Sequence, residues 1–252
     1  MPPDTGFYDQ LTPFYHLIHQ DWNASIERQG RQLAALIERE WPGKRRVLDV
    51  ACGIGTQALG LACQGYAVSA SDLSPAAVAR AKVEAEKRKL TVSFSVCDMR
   101  EARSHHGARF DIAVCADNSL PHLLSDDQIR TALRQMHGCI QPGGGCIITV
   151  RDYDSEARGN SIVKPYGVRF EDGKRYLLFQ IWDFEDQLCK ITFFFVQEEL
   201  SSNEVKTYAM RSTYYAVSIT LLMELMAEVG FQRVHRLDDV FYQPVLIGTK
   251  QA

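Results

Sequence analysis

The sequence predicts an α/β protein with a doubly wound, mostly parallel sheet of seven strands. Three observations support this fold class. Short apolar runs alternate with helical patterns through the middle of the 252-residue chain, which is typical of a parallel sheet with helices on both faces. Three predicted strands end in an acid, namely Asp49, Asp72 and Asp98, and a glycine loop follows the first strand. Hydrophobic residues make up 46% of the chain, enough for a large core.

Local signals delimit the first five strands and the helices between them. The strand patterns are RVLDVA, YAVSASD, TVSFSVCD, FDIAVCAD and CIITVRD. Gly65 is expected to end the first helix of this region, and Ser74 followed by Pro75 is typical of a helix start. Ser125 precedes two acids that suit the first turn of another helix. The QPGGG segment before the fifth strand is predicted to be a turn.

An antiparallel hairpin insertion is predicted after the fifth strand, at about residues 160–215. This stretch is rich in aromatic and β-branched residues, and EDG and EDQ read as its turns. A helix ending at Gly230 and the strands FQRVHRL and FYQPVLIGTK then complete the seven. Residues 1–40 are predicted to be an N-terminal helical lid segment, and residues 41–252 the main domain.

Composition and charge exclude several classes of partner. The formal net charge is −3 with both signs mixed and no basic run, so no nucleic acid partner is expected. No signal-peptide pattern and no apolar run of about 20 residues is present, which predicts a cytoplasmic protein with no membrane partner. The cysteines form no C-x-x-C pair and the histidines lack ligand spacing, so we expect reduced thiols and no metal site.

The glycine loop predicts an adenosine-containing cofactor. Residues 53–58 fit the pattern G-x-G-x-x-G/A, and Gly53 and Gly55 allow close approach of a ligand to the backbone. Asp72 lies 23 residues after Asp49, where an acid is expected to bond ribose hydroxyls. Ligands of open parallel sheets bind beyond the carboxyl ends of the strands, which is where these residues fall.

Two features favour S-adenosylmethionine over NAD. The Asp49 carboxylate is a poor neighbour for a pyrophosphate but suits an ammonium and a sulfonium. No second glycine loop opens a helix, as a dinucleotide-binding domain requires. Asp98 is placed to bond the adenine amino group. An NAD-dependent oxidoreductase and a non-catalytic cofactor-binding module stay as alternatives.

These motifs resemble the class I S-adenosyl-L-methionine-dependent methyltransferases. The segments VLDVACGIGTQAL, ADNSLPHL, VRDYD and STYY resemble glycine N-methyltransferase and the bacterial glycine/sarcosine N-methyltransferases. The resemblance implies a Rossmann-like methyltransferase domain over residues 41–252 and S-adenosyl-L-homocysteine as product. It implies N-methylation of a small carboxylate-bearing metabolite such as glycine or sarcosine, a small-molecule amine acceptor.

The resemblance also implies roles for individual residues. Asn118 would place the acceptor amine and Arg151 would grip its carboxylate, with Tyr153 and Tyr215 in the same catalytic set. The residues implied to contact the cofactor are Tyr15, Trp22, Arg28, Asp49, Ala51, Gly53, Gly55, Asp72, Leu73, Asp98, Met99, Asp117 and His122. Within this set, Arg28 would pair with the cofactor carboxylate.

Other interpretations of the acceptor site stay open at this stage. The aromatic insertion is compatible with a larger natural-product amine or a hydroxyl acceptor. Arg151 could instead pair with Asp152 or Asp154 on the surface, and Trp182 is expected to pack rather than to contact substrate. The sequence does not indicate the oligomeric state.

Overall fold

The computed structural model describes residues 6–107 and 110–251. The helices are α1 (Gly6–Leu11), α2 (Trp22–Glu40), α3 (Thr56–Cys63), α4 (Pro75–Lys87), α5 (Ala102–His106), α6 (Asp126–Cys139) and α7 (Ile219–Glu228). The strands are β1 (Arg46–Asp49), β2 (Ala67–Asp72), β3 (Val92–Val96), β4 (Phe110–Cys115), β5 (Ile140–Thr149), β6 (Ile162–Glu171), β7 (Lys174–Glu185), β8 (Leu188–Glu199), β9 (Glu204–Tyr215), β10 (Phe231–Leu237) and β11 (Val245–Lys250). Short 3₁₀ turns span Tyr15–Ile18, Met99–Glu101 and Leu120–His122.

The main sheet is the predicted doubly wound sheet of seven strands. Its order is β10-β11-β5-β4-β1-β2-β3. The strands β1 to β5 are parallel, and β11 runs antiparallel to both β5 and β10. The direction of winding reverses between β1 and β4, and the crevice at such a reversal is where ligands bind in open α/β sheets.

The predicted helix starts are confirmed. The Ser74 hydroxyl accepts a hydrogen bond from the Ala77 N–H at 3.1 Å, with Pro75 as the first helical residue of α4. The Ser125 side chain caps α6 in the same way through the Gln128 N–H. Both helices therefore begin on the side of the sheet where the carboxyl ends of β2 and β4 lie.

The QPGGG segment differs from its prediction as a turn, because it belongs to β5. Ile140 pairs with Phe110, and the register then shifts before Gly145 pairs with Ile112. A Cβ on Gly144 would lie 2.2 Å from the Asp111 carbonyl oxygen. The glycines therefore allow a close irregular pairing within the strand, which turn statistics cannot distinguish from a free turn.

The hairpin insertion forms a second, four-stranded antiparallel sheet of order β6-β7-β8-β9. Its inner face buries Trp182, Phe193 and Phe195 against apolar residues of the N-terminal segment, including Phe7 and Leu11. The N-terminal segment thus packs between this sheet and the main domain. None of the seven cysteines, all of which the structure describes, forms a disulfide.

Helix α2 is built into the main domain by a close crossing with α3. A Cβ on Gly30 would lie 2.4 Å from the backbone carbonyl group of Gly60. The Trp22 indole N–H donates to the Thr56 hydroxyl at 2.8 Å. Among the described residues of the N-terminal segment, residues 6–21 precede this crossing and α2 is part of it. Within the described ranges, no helix has the length and apolar character needed to cross a bilayer.

Substituting Gly30→Ala should destabilise the protein by about 1–3 kcal/mol, because the new methyl group overlaps the backbone of α3. The matched control is Gly138→Ala in α6, whose Cβ would meet only the flexible Arg103 side chain. That change should be neutral or stabilising by up to about 1 kcal/mol. Urea unfolding measures both, and equal stability of the two variants would contradict the crossing.

Candidate active site

The loop between β1 and α3 has a backbone that requires glycine. Gly53 (φ +52°) and Gly55 (φ +98°) lie in the left-handed region, and Gly55 is the N-cap of α3. A Cβ on Gly53 would lie 3.0 Å from the Tyr15 ring. The loop therefore presents bare backbone at the carboxyl edge, with Tyr15 directly over it.

Asp72 ties this loop to the neighbouring strand. Its carboxylate accepts hydrogen bonds from the Gly53 N–H at 2.8 Å and the Ser74 N–H at 2.9 Å. Burial raises the pKa of Asp72, although these backbone hydrogen bonds oppose the rise. The Leu73 N–H also hydrogen-bonds to this carboxylate, which has about four lone-pair positions, so one acceptor position stays available for a hydroxyl.

Asp49 is fully buried beside Asp72 at the end of β1. One carboxylate oxygen accepts from the Ala51 N–H at 3.2 Å, and Oδ2 has no partner among the described residues. Burial, reinforced by the negative charge of Asp72, raises the pKa of Asp49 to about 7. A buried carboxylate oxygen without a partner is costly and favours a cationic ligand.

Asp98 differs from the other two acids because it has an internal cation. Arg100 donates to both of its carboxylate oxygens, at 3.0 and 2.5 Å. Burial works to raise the pKa of Asp98, but the hydrogen bonds and charge of Arg100 outweigh it and hold the pKa below its usual value. Met99, and Leu73 after Asp72, are partly buried at the same edge.

An aromatic wall, formed by Tyr8, Tyr15, His122 and Tyr214, lies between the carboxyl edge of the main sheet and the antiparallel sheet. The Tyr8 hydroxyl and His122 Nε2 share a hydrogen bond of 2.6 Å, and the His122 ring lies 4.6 Å from that of Tyr214. Burial lowers the pKa of His122 to about 4, so its ring is neutral near pH 7. The Tyr8 and Tyr15 rings lie 6.0 Å apart.

The structure does not bring Trp22 and Arg28 to this wall. The Trp22 ring packs against α3, with the Arg88 guanidinium 5.0 Å from its centre. Arg28 is exposed and donates to the Ser25 hydroxyl at 3.2 Å. Of Tyr15, Trp22 and Arg28, which are predicted to contact the cofactor, Tyr15 lines a cavity between the two sheets, whereas Trp22 and Arg28 do not.

Asn118, Arg151 and Tyr153 come together after β4 and β5. Asn118 has a left-handed backbone (φ +61°) and is buried. Its amide nitrogen donates to the Tyr153 hydroxyl at 2.8 Å, and its amide oxygen accepts from the Arg151 N–H at 3.0 Å. The amide is therefore held in one orientation.

The Arg151 side chain lies in a charged cluster beside Trp182. It donates to Glu156 at 2.9 Å, and Glu156 also accepts from Lys164. The Arg151 guanidinium lies 4.8 Å from the centre of the Trp182 ring. Arg151 Nε is buried and has no partner among the described residues. One negative and two positive charges leave the cluster net positive, and the partner is Glu156 rather than Asp152 or Asp154.

These groups enclose a cavity of about 60 Å³. Its lining residues are Phe7, Tyr8, Leu11, Tyr15, Ile18, Asp117, Asn118, Arg151, Tyr166, Gln180, Trp182, Phe193, Tyr214 and Gln243. Asp117 accepts from the Tyr242 hydroxyl at 2.5 Å. Trp182, expected to pack only, both packs and lines this cavity.

Tyr214 rather than Tyr215 reaches the cavity. The Tyr215 hydroxyl donates to Asp126 at 2.7 Å, and its ring packs in the core of the main domain. Successive residues of a strand point to opposite faces of the sheet. Met210 of β9 is buried on the inner face, and Tyr214 lies four residues further along, so Tyr214 points to the same face. That alternation is the sequence signal that identifies Tyr214; Tyr166 and Gln180 lie on neighbouring strands and are found only through the hairpin register.

Comparisons with known proteins agree with this geometry. A family profile described as a methyltransferase domain matches residues 47–144. The glycine/sarcosine N-methyltransferase of Parasynechococcus marenigrum (strain WH8102) is 28% identical over 225 residues, covering 87% of this chain and 73% of that protein. Together with the seven-stranded sheet, these matches support a class I S-adenosylmethionine-dependent methyltransferase.

One relative is named for an amino sugar, and a solved structure shares the fold over most of the chain. A dTDP-3-amino-3,6-dideoxy-alpha-D-glucopyranose N,N-dimethyltransferase of Streptomyces fradiae is 28% identical, over 58% of this chain and 55% of its own length. The crystal structure of Streptomyces venezuelae DesVI superposes with a TM-score of 0.81 at 19% identity, covering 94% of this chain and 95% of that one. The latter likeness concerns the fold.

The cofactor of this methyltransferase is S-adenosylmethionine, and the residues present fit it. The unpartnered Asp49 oxygen suits a cation, and the left-handed glycines leave room at the loop. Asp72 retains acceptor capacity for a hydroxyl.

Asp49→Asn should raise the free energy of unfolding of the unliganded protein relative to wild type, and this difference should be larger at pH 8 than at pH 5. The folded pKa of about 7 lies above the unfolded value, so the wild-type protein loses stability as the pH rises from about 4 to about 7. The loss is at most about 4 kcal/mol, and Asn does not suffer it.

Thermal unfolding at pH 5 and pH 8 measures this difference. Asp98→Asn is the matched control with the opposite sign, since its lowered pKa stabilises the protein above pH 4 and the stabilisation is lost on acidification. Wild type and Asp49→Asn with parallel pH profiles would refute a buried, unpartnered carboxyl at position 49.

Proposed function

We propose that the protein transfers a methyl group from S-adenosylmethionine to the amine of a small carboxylate-bearing metabolite such as glycine or sarcosine. The observation that supports this acceptor is the unpartnered, buried Nε of Arg151 beside Asn118, at the wall of a cavity of about 60 Å³. At about 10–15 Å³ for each water-sized group, that volume holds about four to six such groups, which is comparable to the five or six heavy atoms of glycine or sarcosine. The proposal includes a cytoplasmic location.

Cofactor retention is proposed to rest on the two buried carboxylates. Asp49 would hold the ammonium group, Asp72 a ribose hydroxyl, and Asp98 the adenine end, with Tyr15 and His122 closing over the loop. Tyr214 is proposed for the acceptor-site role that the resemblance implies for Tyr215. Residues 6–21 would act as the cover, because α2 is fixed to α3.

When bound, the cofactor supplies a methyl group already activated by a sulfonium. The protein then has to orient the amine and exclude water. The Asn118 amide oxygen has a second lone pair, which can accept from the amine without adding charge. The Arg151 guanidinium would hold the carboxylate oxygen, so that the nitrogen lone pair faces the methyl carbon.

An amino sugar is the second candidate acceptor. The aromatic lining of Tyr166, Trp182 and Tyr214, with the amide of Gln180, suits stacking and hydrogen bonding to a sugar ring. The named activity of the Streptomyces fradiae relative is of this kind. The cavity volume favours the smaller acceptor.

Measuring S-adenosylhomocysteine release separates the two candidates. The panel is glycine, sarcosine, dimethylglycine, larger amino acids, amines without a carboxylate, and an amino sugar nucleotide. Turnover restricted to small amino acids supports the proposal. Turnover with the amino sugar alone keeps the methyltransferase and rejects the carboxylate acceptor.

Arg151→Lys should raise the acceptor KM at least tenfold, with little change in the dissociation constant of S-adenosylhomocysteine, because an ammonium cannot reproduce the guanidinium geometry. The matched control is Arg236→Lys, an arginine that pairs with Asp152 and Asp238. An unchanged acceptor KM in Arg151→Lys, or a loss confined to cofactor binding, would assign Arg151 a different role.

The acceptor is expected to bind as the free amine. His122 is neutral and too weak a base, and the one carboxylate among the described cavity residues, Asp117, accepts from Tyr242. The acceptor kcat/KM should therefore rise about tenfold per pH unit up to the pKa of the amine. Two acceptors with different amine pKa values test this. A rise of kcat/KM with pH that has the same pKa for both acceptors, and that is lost in Asp117→Asn, would instead make Asp117 a general base.

A further inference from the structure

A cluster of one cysteine and two histidines lies at the edge of the main sheet, outside the proposed acceptor cavity. Cys97 follows the edge strand β3, and His105 and His106 end the short helix α5. The spacing along the chain gives no metal signature, since seven residues separate the cysteine from the histidine pair. The turn after β3 folds α5 back over the strand and brings the three side chains together.

Two serines on neighbouring strands hydrogen-bond to the histidines of the cluster. Ser71 of β2 and Ser95 of β3 are direct neighbours in the parallel register, and Cys97 follows Ser95 on the same face. The Ser71 hydroxyl bonds His106 Nε2 at 3.1 Å, and the Ser95 hydroxyl bonds His105 Nε2 at 3.0 Å. Such hydroxyls fix the orientation of imidazole ligands.

The three side chains each offer a ligand atom, and these atoms lie within 4.8 Å of one another. Bond lengths of about 2.0 Å to nitrogen and about 2.3 Å to sulfur place the ligands of a tetrahedral ion about 3.5 Å apart. Cys97 is buried, His106 partly buried and His105 exposed. Closing the remaining distance needs a small movement of the exposed His105 side chain, in which its hydrogen bond to Ser95 would lengthen or be exchanged for coordination.

We propose that Cys97, His105 and His106 bind a zinc-class transition-metal ion, with water as the fourth ligand. A thiolate and two imidazoles form a set of borderline softness, which selects such ions over magnesium or calcium. The solvent-facing side of His105 supplies access for the ion and room for the water. The ion would join α5 to the edge strand.

Metal binding here must displace a proton. The Cys97 thiol donates to the Asp98 carbonyl oxygen, with its sulfur 3.1 Å from that oxygen. Coordination forms the metal–sulfur bond, breaks the S–H bond and passes the proton to the buffer. One proton per ion is the expected stoichiometry near neutral pH.

Titration of the tag-free, reduced protein with Co²⁺ tests the site independently of methyl transfer. The expected result is one ion per chain, a near-ultraviolet charge-transfer band from thiolate to Co²⁺, and release of one proton. Cys97→Ser should lose the band, whereas Cys63→Ser, at an exposed cysteine, should keep it. His105→Ala replaces an exposed side chain and should weaken binding at least tenfold without unfolding the protein.

Circular dichroism of each variant confirms that the fold is retained. Failure of the wild-type protein to show the thiolate band would overturn the proposal. So would a band that persists in both Cys97→Ser and His105→Ala, or one that requires Cys63.

Discussion

The carboxylate of Asp72 is the interaction on which the cofactor edge depends. By accepting from the Gly53 and Ser74 N–H groups, it joins the glycine loop after β1 to the end of β2 and the start of α4. Asp49 lies beside it, and each carboxylate disfavours ionisation of the other in a buried setting. The edge therefore has two acids and no internal cation in contact with Asp49 Oδ2 among the described residues. In the proposed mode of binding, the ammonium and sulfonium groups of the cofactor would relieve this electrostatic repulsion, which would couple cofactor binding to stability at the same site.

The N-terminal segment of residues 6–21 connects the two halves of the molecule. It contacts the cofactor half at the glycine loop and the antiparallel sheet along β6 and β9. The contacts are Ser74 to Asp9 at 2.5 Å, Tyr8 to His122 at 2.6 Å, His16 to Glu171 at 2.8 Å, and Arg169 to the His19 carbonyl at 2.9 Å. Because these contacts cross the space between the two sheets, the segment limits the size of the acceptor cavity. Under the proposed function, the same residues would determine acceptor size and cover the cofactor, and a larger acceptor would require the segment to move.

The features predicted correctly from the sequence are those fixed by local chemistry. The ends of β1 at Asp49 and of β2 at Asp72, and the helix caps at Ser74 and Ser125, depend on a few neighbouring residues. The assignment of Tyr215 to the cavity required knowledge of the strand face, which the hairpin register decides. The Arg100 partner of Asp98 and the Glu156 partner of Arg151 were not apparent, because ion pairs leave no periodic signal. The inclusion of QPGGG in β5 depends on a bulge against β4, a tertiary contact that the segment itself does not specify.

The most direct test of the account is a crystal structure with S-adenosylhomocysteine and sarcosine. The account predicts the homocysteine ammonium about 3 Å from Asp49 Oδ2 and a ribose hydroxyl on Asp72. It predicts the sarcosine carboxylate at Arg151 Nε and the amine at the Asn118 amide oxygen, inside the cavity closed by residues 6–21. A cofactor whose ammonium lies away from Asp49, or an acceptor bound outside this cavity, would contradict it.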